Sequence, residues 1–276
     1  MNNDALSGPP LTTPGIMLTV LLALLPAIAV TTWFAGTDWA LRLLAMGSLA
    51  LVLEALALRL RGRGVALKHQ DGSVLVTAML LLLMLPTALP WWQSAAGVAI
   101  AVIVGKHIFG GLGQNLFNPV AVGYLGLMTL VPGSLTAPTS VLTADTQPWV
   151  ASVMILATLS GGLILLHRRI IGWHVPLSML LTTTLLFTGF DLALNASIMV
   201  LVALFIATDP VTSPGTRTGR LVYGCLIAAV SAVMAHWLSY PASAAAAIVC
   251  GNAITPALDQ LIRHDRSMRL PREDRQ

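Results

Sequence analysis

The sequence predicts an all-α integral membrane protein of ten transmembrane helices, arranged as two inverted five-helix repeats with broken or re-entrant Gly/Pro segments. Three observations predict it: the composition, the spacing of apolar stretches and the placement of basic residues. Of the 276 residues, 56% are hydrophobic and only 9% are charged, and the mean hydropathy is +0.83. Because one span takes roughly 20 apolar residues, ten spans would use about 200 residues and leave no sizeable soluble domain.

Ten apolar stretches separated by short polar segments are the candidate spans. The first is long enough to span, and no Lys or Arg precedes it, which argues against a signal peptide. Several stretches have Trp near an end, as membrane interfaces favour. The predicted spans are 15–35, 39–60, 73–89, 91–108, 119–131, 149–166, 175–190, 192–208, 221–240 and 241–262.

The fifteen basic residues follow the positive-inside rule with one exception, Arg42. The other fourteen all lie at or after the carboxyl ends of even-numbered spans, so the rule predicts that both termini are cytoplasmic. These fourteen are Arg59, Arg61, Arg63, Lys68, Lys106, Arg168, Arg169, Arg217, Arg220, Arg263, Arg266, Arg269, Arg272 and Arg275.

An odd number of spans in each half places the two halves in opposite orientations, which predicts an inverted repeat with binding sites near its axis. Two short matches suggest a duplication, although such matches also arise by chance. One relates Ser73–Thr77 to Ser178–Thr182, and the other relates Asn118–Val120 to Asp209–Val211, with Asn118 and Asp209 as predicted helix N-caps. The predicted organisation is a cytoplasmic tail (1–14), a first repeat (15–131), an external loop (132–148), a second repeat (149–262) and a basic cytoplasmic tail (263–276).

The Gly-rich segment 105–119 is the strongest candidate binding element. Gly111 and Gly113 allow the backbone to approach a ligand closely, and Gly and Pro in a span free backbone groups that a cavity or ligand must satisfy. The amides of Asn115 and Asn118 offer donors and acceptors together, as a flat heteroaromatic ring requires. Asn115 has no capping duty and is read as a ligand contact, whereas for Asn118 helix capping and ligand binding both stay open.

Two acidic residues are candidates for ion coupling. Asp209 offers a carboxylate near membrane depth, where charges are costly and usually functional, but it is also readable as a plain helix cap. Glu54 precedes Arg59 by five residues, so it either reaches the cytoplasmic interface or has a function inside the membrane. No hydrolytic triad, metal-binding pattern or nucleic-acid-binding pattern is present, and Cys225 and Cys250 both lie inside apolar runs.

The motifs resemble those of the D subunit of the Rnf ion-translocating ferredoxin:NAD oxidoreductase complex and, more distantly, the B subunit of the sodium-translocating NADH:quinone reductase. The resemblance covers nearly the whole chain. The motifs that carry it are GGLGQNLFNP at 110–119, DGSVLVT at 71–77, Lys106-His107, TDPVTS at 208–213 and GRLVYG at 219–224.

The resemblance implies a flavin-binding electron-transfer subunit of the bacterial inner membrane. It would work with other membrane and peripheral subunits while the complex moves Na⁺ or H⁺. In the quinone-reductase relative, two asparagines of the Gly-rich motif contact a non-covalent riboflavin, and these fall on Asn115 and Asn118 here.

The family also carries a second flavin, an FMN linked covalently to an outer-face threonine, for which Thr146 is the best candidate here. Thr143 matches the pattern three residues earlier. However, Ser140 replaces an Asp, Asp145 replaces an Ala, and the loop is short. A carboxylate beside the attachment oxygen would also repel an incoming phosphate. The expectation is therefore an unmodified Thr146.

Two functions of different class remain from the sequence alone. In the first, the chain is a redox subunit that needs no catalytic acid, base or nucleophile, because the flavin supplies the chemistry. In the second, it is an inverted-repeat channel or carrier for a small solute, without a redox cofactor. Bound flavin in the purified protein distinguishes them.

Overall fold

The computed structural model describes residues 12–62, 71–111, 113–135, 148–192 and 194–269, and Thr146 lies outside these ranges. Within them the chain forms ten α-helices and no strand. The helices are α1 (Thr13–Ala35), α2 (Thr37–Leu60), α3 (Ser73–Met84), α4 (Trp91–Ile100), α5 (Pro119–Leu130), α6 (Pro148–His167), α7 (His174–Gly189), α8 (Ala196–Leu201), α9 (Arg217–Met234) and α10 (Tyr240–Arg269).

Ten helices agree with the prediction, but only five of them in the described chain, α1, α2, α6, α9 and α10, contain stretches long and apolar enough to cross a membrane. The chain is a multi-pass membrane protein. Helix α3 has 12 residues and ends at Met84, five residues before the predicted span end. The reason is local: Leu85 precedes Pro86 and is extended, with ψ 150°, because a following proline disfavours the helical conformation.

Two helices change to π-helical geometry towards their carboxyl ends. Helix α4 continues as Ala101–His107, and α8 continues as Val202–Ile206. Single π-helical turns are rare and frequently lie at functional sites. Both segments lead directly into the candidate site described below.

Small residues allow close contact between helices. A Cβ at Gly161 on α6 would overlap the carbonyl oxygen of Ala23 on α1, and a Cβ at Gly224 on α9 would overlap the hydroxyl of Ser178 on α7. Small residues at such crossings let helix backbones approach within a membrane, where no hydrophobic force draws helices together.

Several helix contacts recur in both halves. Helix α1 contacts α6, and α5 contacts α10. The pairs α1–α3, α2–α4, α3–α5 and α4–α5 have counterparts in α6–α8, α7–α9, α8–α10 and α9–α10. Each counterpart is found by adding five to both helix numbers, so α3 corresponds to α8. The short match between Ser73–Thr77 and Ser178–Thr182 therefore joins α3 to α7, which are not equivalent by contact.

Arg42, the exception to the positive-inside pattern, is buried and paired. Its Nη2 lies 3.0 Å from the Asp38 carboxylate, and its Nη1 donates to the Leu89 carbonyl oxygen. Its guanidinium carbon lies 5.7 Å from the centre of the Trp91 ring. Arg42 is therefore neutralised within the protein.

Trp39, expected at the membrane interface, is also buried at 2% exposure, whereas Trp33 is 83% exposed.

Candidate functional site

A cavity of about 200 Å³ lies where α1, α3 and α5 of the first half meet α6 and α8 of the second. Most of its wall is apolar. The polar side chains on its wall are Ser73, Thr77, Lys106, Asn115, Asn118, Thr208 and Asp209. The structure therefore brings Asp209, a separate prediction from the sequence, together with Asn115 and Asn118.

Asn118 caps helix α5. Its Oδ1 accepts hydrogen bonds from the backbone N–H of Val120 at 2.9 Å and of Ala121 at 3.3 Å. Pro119 occupies the first helical position, where its missing N–H costs nothing. Capping, one of the two readings left open by the sequence, is confirmed.

Asn118 also connects the two halves of the chain. Its Nδ2 donates to the carbonyl oxygen of Ile206 at 3.1 Å and to the carboxylate of Asp209 at 3.3 Å. Its backbone N–H donates to the Oδ1 of Asn252 on α10 at 2.8 Å. Both polar atoms of the Asn118 side chain thus have protein partners, so a ligand would compete with these bonds.

Asn252 extends this network further into the second half. Its Nδ2 donates to the Tyr223 hydroxyl at 2.6 Å and to the Thr212 carbonyl oxygen at 3.2 Å. Tyr223 lies on α9, and both Asn252 and Tyr223 are buried. The start of α5 is consequently tied to α9, α10 and the segment after α8.

Asn115 differs from Asn118 because one of its polar atoms is unused. The residue is 6% exposed, and its Nδ2 donates to the Phe117 carbonyl oxygen at 3.2 Å. Its Oδ1 is buried and accepts no hydrogen bond within the part of the chain that the structure describes. A buried acceptor without a donor costs about 1–3 kcal/mol. A ligand N–H or O–H would satisfy it.

The glycine loop before Asn115 has a conformation that other residues rarely adopt. Gly110, Gly111 and Gly113 have φ of 131°, 102° and 83°. A Cβ at Gly113 would find no heavy atom within 4 Å among the described residues, so the space beside this backbone is open. Gly111 and Gly113 do not line the cavity, although they belong to the loop that carries Asn115.

Asp209 closes a turn, and the prediction that it caps a helix is wrong. Its Oδ1 accepts a hydrogen bond from the Val211 N–H at 3.1 Å. The next helix, α9, begins only at Arg217, and its N-cap is Thr216. In this connecting segment, burial raises the pKa of the carboxyl group, while hydrogen bonds from Val211, Thr212 and Asn118 act in the opposite direction. The carboxylate is therefore held by donors from both halves.

Glu54 is buried within the protein, where it pairs with Lys106. The Lys106 Nζ lies 2.6 Å from the Glu54 Oε1, and each side chain is 3% exposed. The same Nζ donates to the Ser73 Oγ at 2.6 Å and lies 3.7 Å from the Asp71 Oδ1. The positive-inside pattern counts Lys106 among the basic residues that follow span four, and the structure adds that its ammonium group is buried in this ion pair.

The model of the NQR2, RnfD, RnfE family matches residues 9–267. The chain belongs to this family. It is 34% identical to the D subunit of the ion-translocating oxidoreductase complex of Aeromonas hydrophila over 326 aligned positions, which cover 91% of this chain and 93% of the relative. The D subunits of the same complex from Salmonella typhimurium and Escherichia coli O139:H28 are both 31% identical over 327 positions, with the same coverage.

This member of the NQR2, RnfD, RnfE family is shorter than those relatives. The covered 91% of its 276 residues is about 251 residues, so about 75 of the 326 positions aligned with the Aeromonas protein are gaps in this chain.

Sequence reasoning missed the roles of three polar residues. It did not show that Lys106 is the buried partner of Glu54, or that Asn252 and Tyr223 belong to the hydrogen-bond network around Asn118. One signal was available. Glu54 and Lys106 are opposite charges within or beside predicted spans, and burial in a membrane favours pairing of such charges. Among the described residues, no group of three His, Cys, Asp or Glu side chains is placed to bind a metal ion.

Proposed function

We propose that this chain is the D subunit of an Rnf-type ion-translocating oxidoreductase complex, an electron-transfer subunit that binds flavin in the cavity between its halves. The complex would couple ferredoxin and NAD redox chemistry to the movement of Na⁺ or H⁺. Family membership and the names of the D-subunit relatives support the complex. The single structural observation that supports the flavin is the buried Oδ1 of Asn115 on the cavity wall, which accepts no hydrogen bond from the residues that the structure describes.

The residues of the cavity fit the ring system of a non-covalent flavin such as riboflavin. Asn115 offers an acceptor to a ring N–H, and Leu80, Leu204 and Phe205 provide apolar wall area. The volume of about 200 Å³ is below the 300–1,000 Å³ of most ligand sites. The proposal therefore places the ring system, and not a whole nucleotide, in this cavity.

At the flavin, the residues of this chain bind and orient the ring, and they perform no acid–base or nucleophilic step on it. A bound flavin supplies electron transfer in steps of one or two electrons. Asn115 orients the ring, the apolar wall excludes water, and the Asn118 network keeps α5 in place against the second half. Preorganisation of this kind reduces the reorganisation that accompanies a change of charge.

The repeat is proposed to be inverted. The correspondence of helix contacts after a shift of five supports a duplication, and five spans in each half would reverse its orientation. In such folds, sites lie where the two repeats meet, and the cavity lies between helices of both halves. The sidedness of the basic residues supports cytoplasmic termini in a bacterial inner membrane.

Asp209 and Glu54 are the candidate residues for coupling electron transfer to ion movement. Asp209 lies on the cavity wall, and its carboxylate accepts a hydrogen bond from Asn118. A change at the ligand can therefore reach this carboxylate through the Asn118 side chain. Transport of ²²Na⁺ and of protons is measured in vesicles that contain the complex with Asp209→Asn. Wild-type transport and wild-type electron flux together would remove Asp209 from the candidates.

We expect that Thr146 carries no covalent FMN. This residue lies outside the described ranges, so the expectation stays a prediction. The protein is made in a host that contains the flavin transferase, denatured, and examined on a gel for flavin fluorescence. A dark band is expected, and a fluorescent band that disappears in Thr146→Val would contradict the expectation.

The proposed redox function is tested with the purified chain in detergent. A yellow protein with acid-extractable flavin is expected, together with no solute flux in liposomes. A colourless protein that carries a small solute would favour the channel or carrier alternative. Co-purification with other membrane and peripheral subunits from the native host tests the proposed assembly.

A further inference from the structure

Only the positive partner of the buried ion pair between Lys106 and Glu54 belongs to the cavity wall. Lys106 and Ser73 line the cavity, and the Lys106 Nζ donates to the Ser73 Oγ at 2.6 Å. Glu54 does not line the cavity, and its Oε1 accepts from the same ammonium group at 2.6 Å. A ligand in the cavity therefore contacts Lys106 and not Glu54.

Stability alone does not explain this pair. Apolar residues of similar volume often replace a buried ion pair without loss of stability. Ionisable groups within membrane-spanning segments are rare and usually functional. The second oxygen of Glu54, Oε2, also accepts no hydrogen bond within the described chain, so the pair is not optimised for its own stability. Its effect on the neighbouring cavity is a further physical consequence of the pair.

The other nearby carboxylate has a weaker effect on the cavity. The Asp71 Oδ1 lies 3.7 Å from the Lys106 Nζ, and its side chain is 20% exposed, against 3% for Glu54. Solvent screens a partly exposed charge more than a buried one. Ser73 bridges the two groups, because its Oγ accepts from Lys106 and donates to Asp71.

We propose that Lys106 is a charge-compensating residue for the redox ligand of this cavity: its ammonium stabilises the negative charge that the ligand gains on reduction and so raises the ligand's reduction potential. The inference rests on the proposed flavin site. A one-electron donor is oxidised and the ligand gains that electron, with no bond formed or broken. Charge near the ring is one of the means by which proteins tune flavins, and it acts strongly in a poorly solvated site.

Two variants distinguish an effect of the Lys106 charge on the flavin potential from a general disturbance of the site. Glu54→Gln keeps the ammonium and removes the negative charge behind it, so the reduction potential of the flavin should rise. The double variant Lys106→Met/Glu54→Gln removes both charges and leaves no unpaired buried carboxylate, so the potential should fall below the wild-type value. A purely structural role would move both variants in the same direction.

The measurement is an anaerobic spectroelectrochemical titration of the flavin in the purified full-length chain, with mediator dyes. Thr158→Val is the control, because this buried residue of α6 does not line the cavity, bonds to its own helix through the Met154 carbonyl oxygen at 2.8 Å and carries no charge. It should leave the potential unchanged.

Opposite shifts in the two variants support the proposal. Unchanged potentials, or shifts of the same sign, would overturn the role of Lys106 while leaving the flavin site intact. If the double variant loses its flavin, Glu54→Gln decides alone, since its potential must rise. Absence of flavin from the wild-type chain would instead refute the proposed function.

Discussion

The side chain of Asn118 donates a hydrogen bond to the carboxylate of Asp209, 91 residues further along the chain, over 3.3 Å. The same amide caps α5 through Val120 and Ala121. One residue therefore starts a helix of the first half and contacts the segment that follows α8 in the second half. The cavity lies at this junction, so its shape depends on how the two halves are joined.

Replacing Asn118 should destabilise the protein more than loss of an ordinary cap. Asn118→Ala removes both the cap, worth about 0.5–2 kcal/mol, and the bonds to Ile206 and Asp209. The control is Asn195→Ala, which removes a cap whose Oδ1 accepts from Ile198 at 3.1 Å. Thermal unfolding in detergent should give a lower Tm for Asn118→Ala than for Asn195→Ala. Equal Tm values would contradict the cross-link between the halves.

Contact between α1 and α6 should depend on Gly161. An added Cβ there would overlap the Ala23 carbonyl oxygen, which belongs to the backbone and cannot move aside cheaply. Gly161→Ala should therefore lower Tm strongly, by an amount equivalent to about 1–3 kcal/mol or more.

Gly189→Ala is the matched control for that substitution. Gly189 lies at the end of α7, and a Cβ there would meet no heavy atom within 4 Å among the described residues. Its Tm should be unchanged or slightly raised, because Ala favours helices over Gly. A stable Gly161→Ala protein would show that α1 and α6 are further apart than described.

Breaking the Lys106–Glu54 pair on one side should cost more than removing it. Lys106→Met leaves a carboxylate buried without its ammonium partner, which typically costs about 3–5 kcal/mol. Lys106→Met/Glu54→Gln should recover most of the lost stability in the same thermal unfolding assay. If the single variant were as stable as the wild type, the pair would not be buried as the structure places it.

Membrane sidedness can be tested with single cysteines. Cys225 and Cys250 are both replaced first, since both are exposed thiols. Ser134→Cys, after α5, should react with an impermeant thiol reagent in intact spheroplasts. Arg169→Cys, after α6, should react only once the membrane is opened. The reverse result would invert the orientation that the basic residues predict.

Much of the helical framework was predictable because apolar runs bounded by Pro, Gly and charge carry strong local signals. The N-terminal ends of α3 at Ser73 and α5 at Pro119 match the predicted positions. The signal fails where tertiary context decides. Asp209-Pro210 has the local signature of a helix start, yet the segment turns again and α9 begins only at Arg217.

The residues of the site were predictable from the sequence, but their hydrogen-bond partners were not. Asn115, Asn118 and Asp209 were found as polar residues in Gly- or Pro-containing motifs, and the structure places them on one cavity. Their bonding partners, such as Asn252 for Asn118, come from helices distant in sequence, and no local pattern specifies those contacts. Trp39 shows the same limit, because its burial depends on neighbouring helices.

The most direct test of the central claim is the flavin content of the purified chain and of Asn115→Leu, with Thr158→Val, at a buried position of α6 outside the cavity wall, as the control. We expect about one extractable flavin per wild-type chain and an unchanged content in the control. Loss of a hydrogen bond to a buried partner at about 1.4 kcal/mol is a tenfold loss of affinity, so Asn115→Leu should retain about a tenth or less after dilution, with an unchanged Tm. Wild-type flavin content in Asn115→Leu, or no flavin in the wild type, would contradict the proposed site.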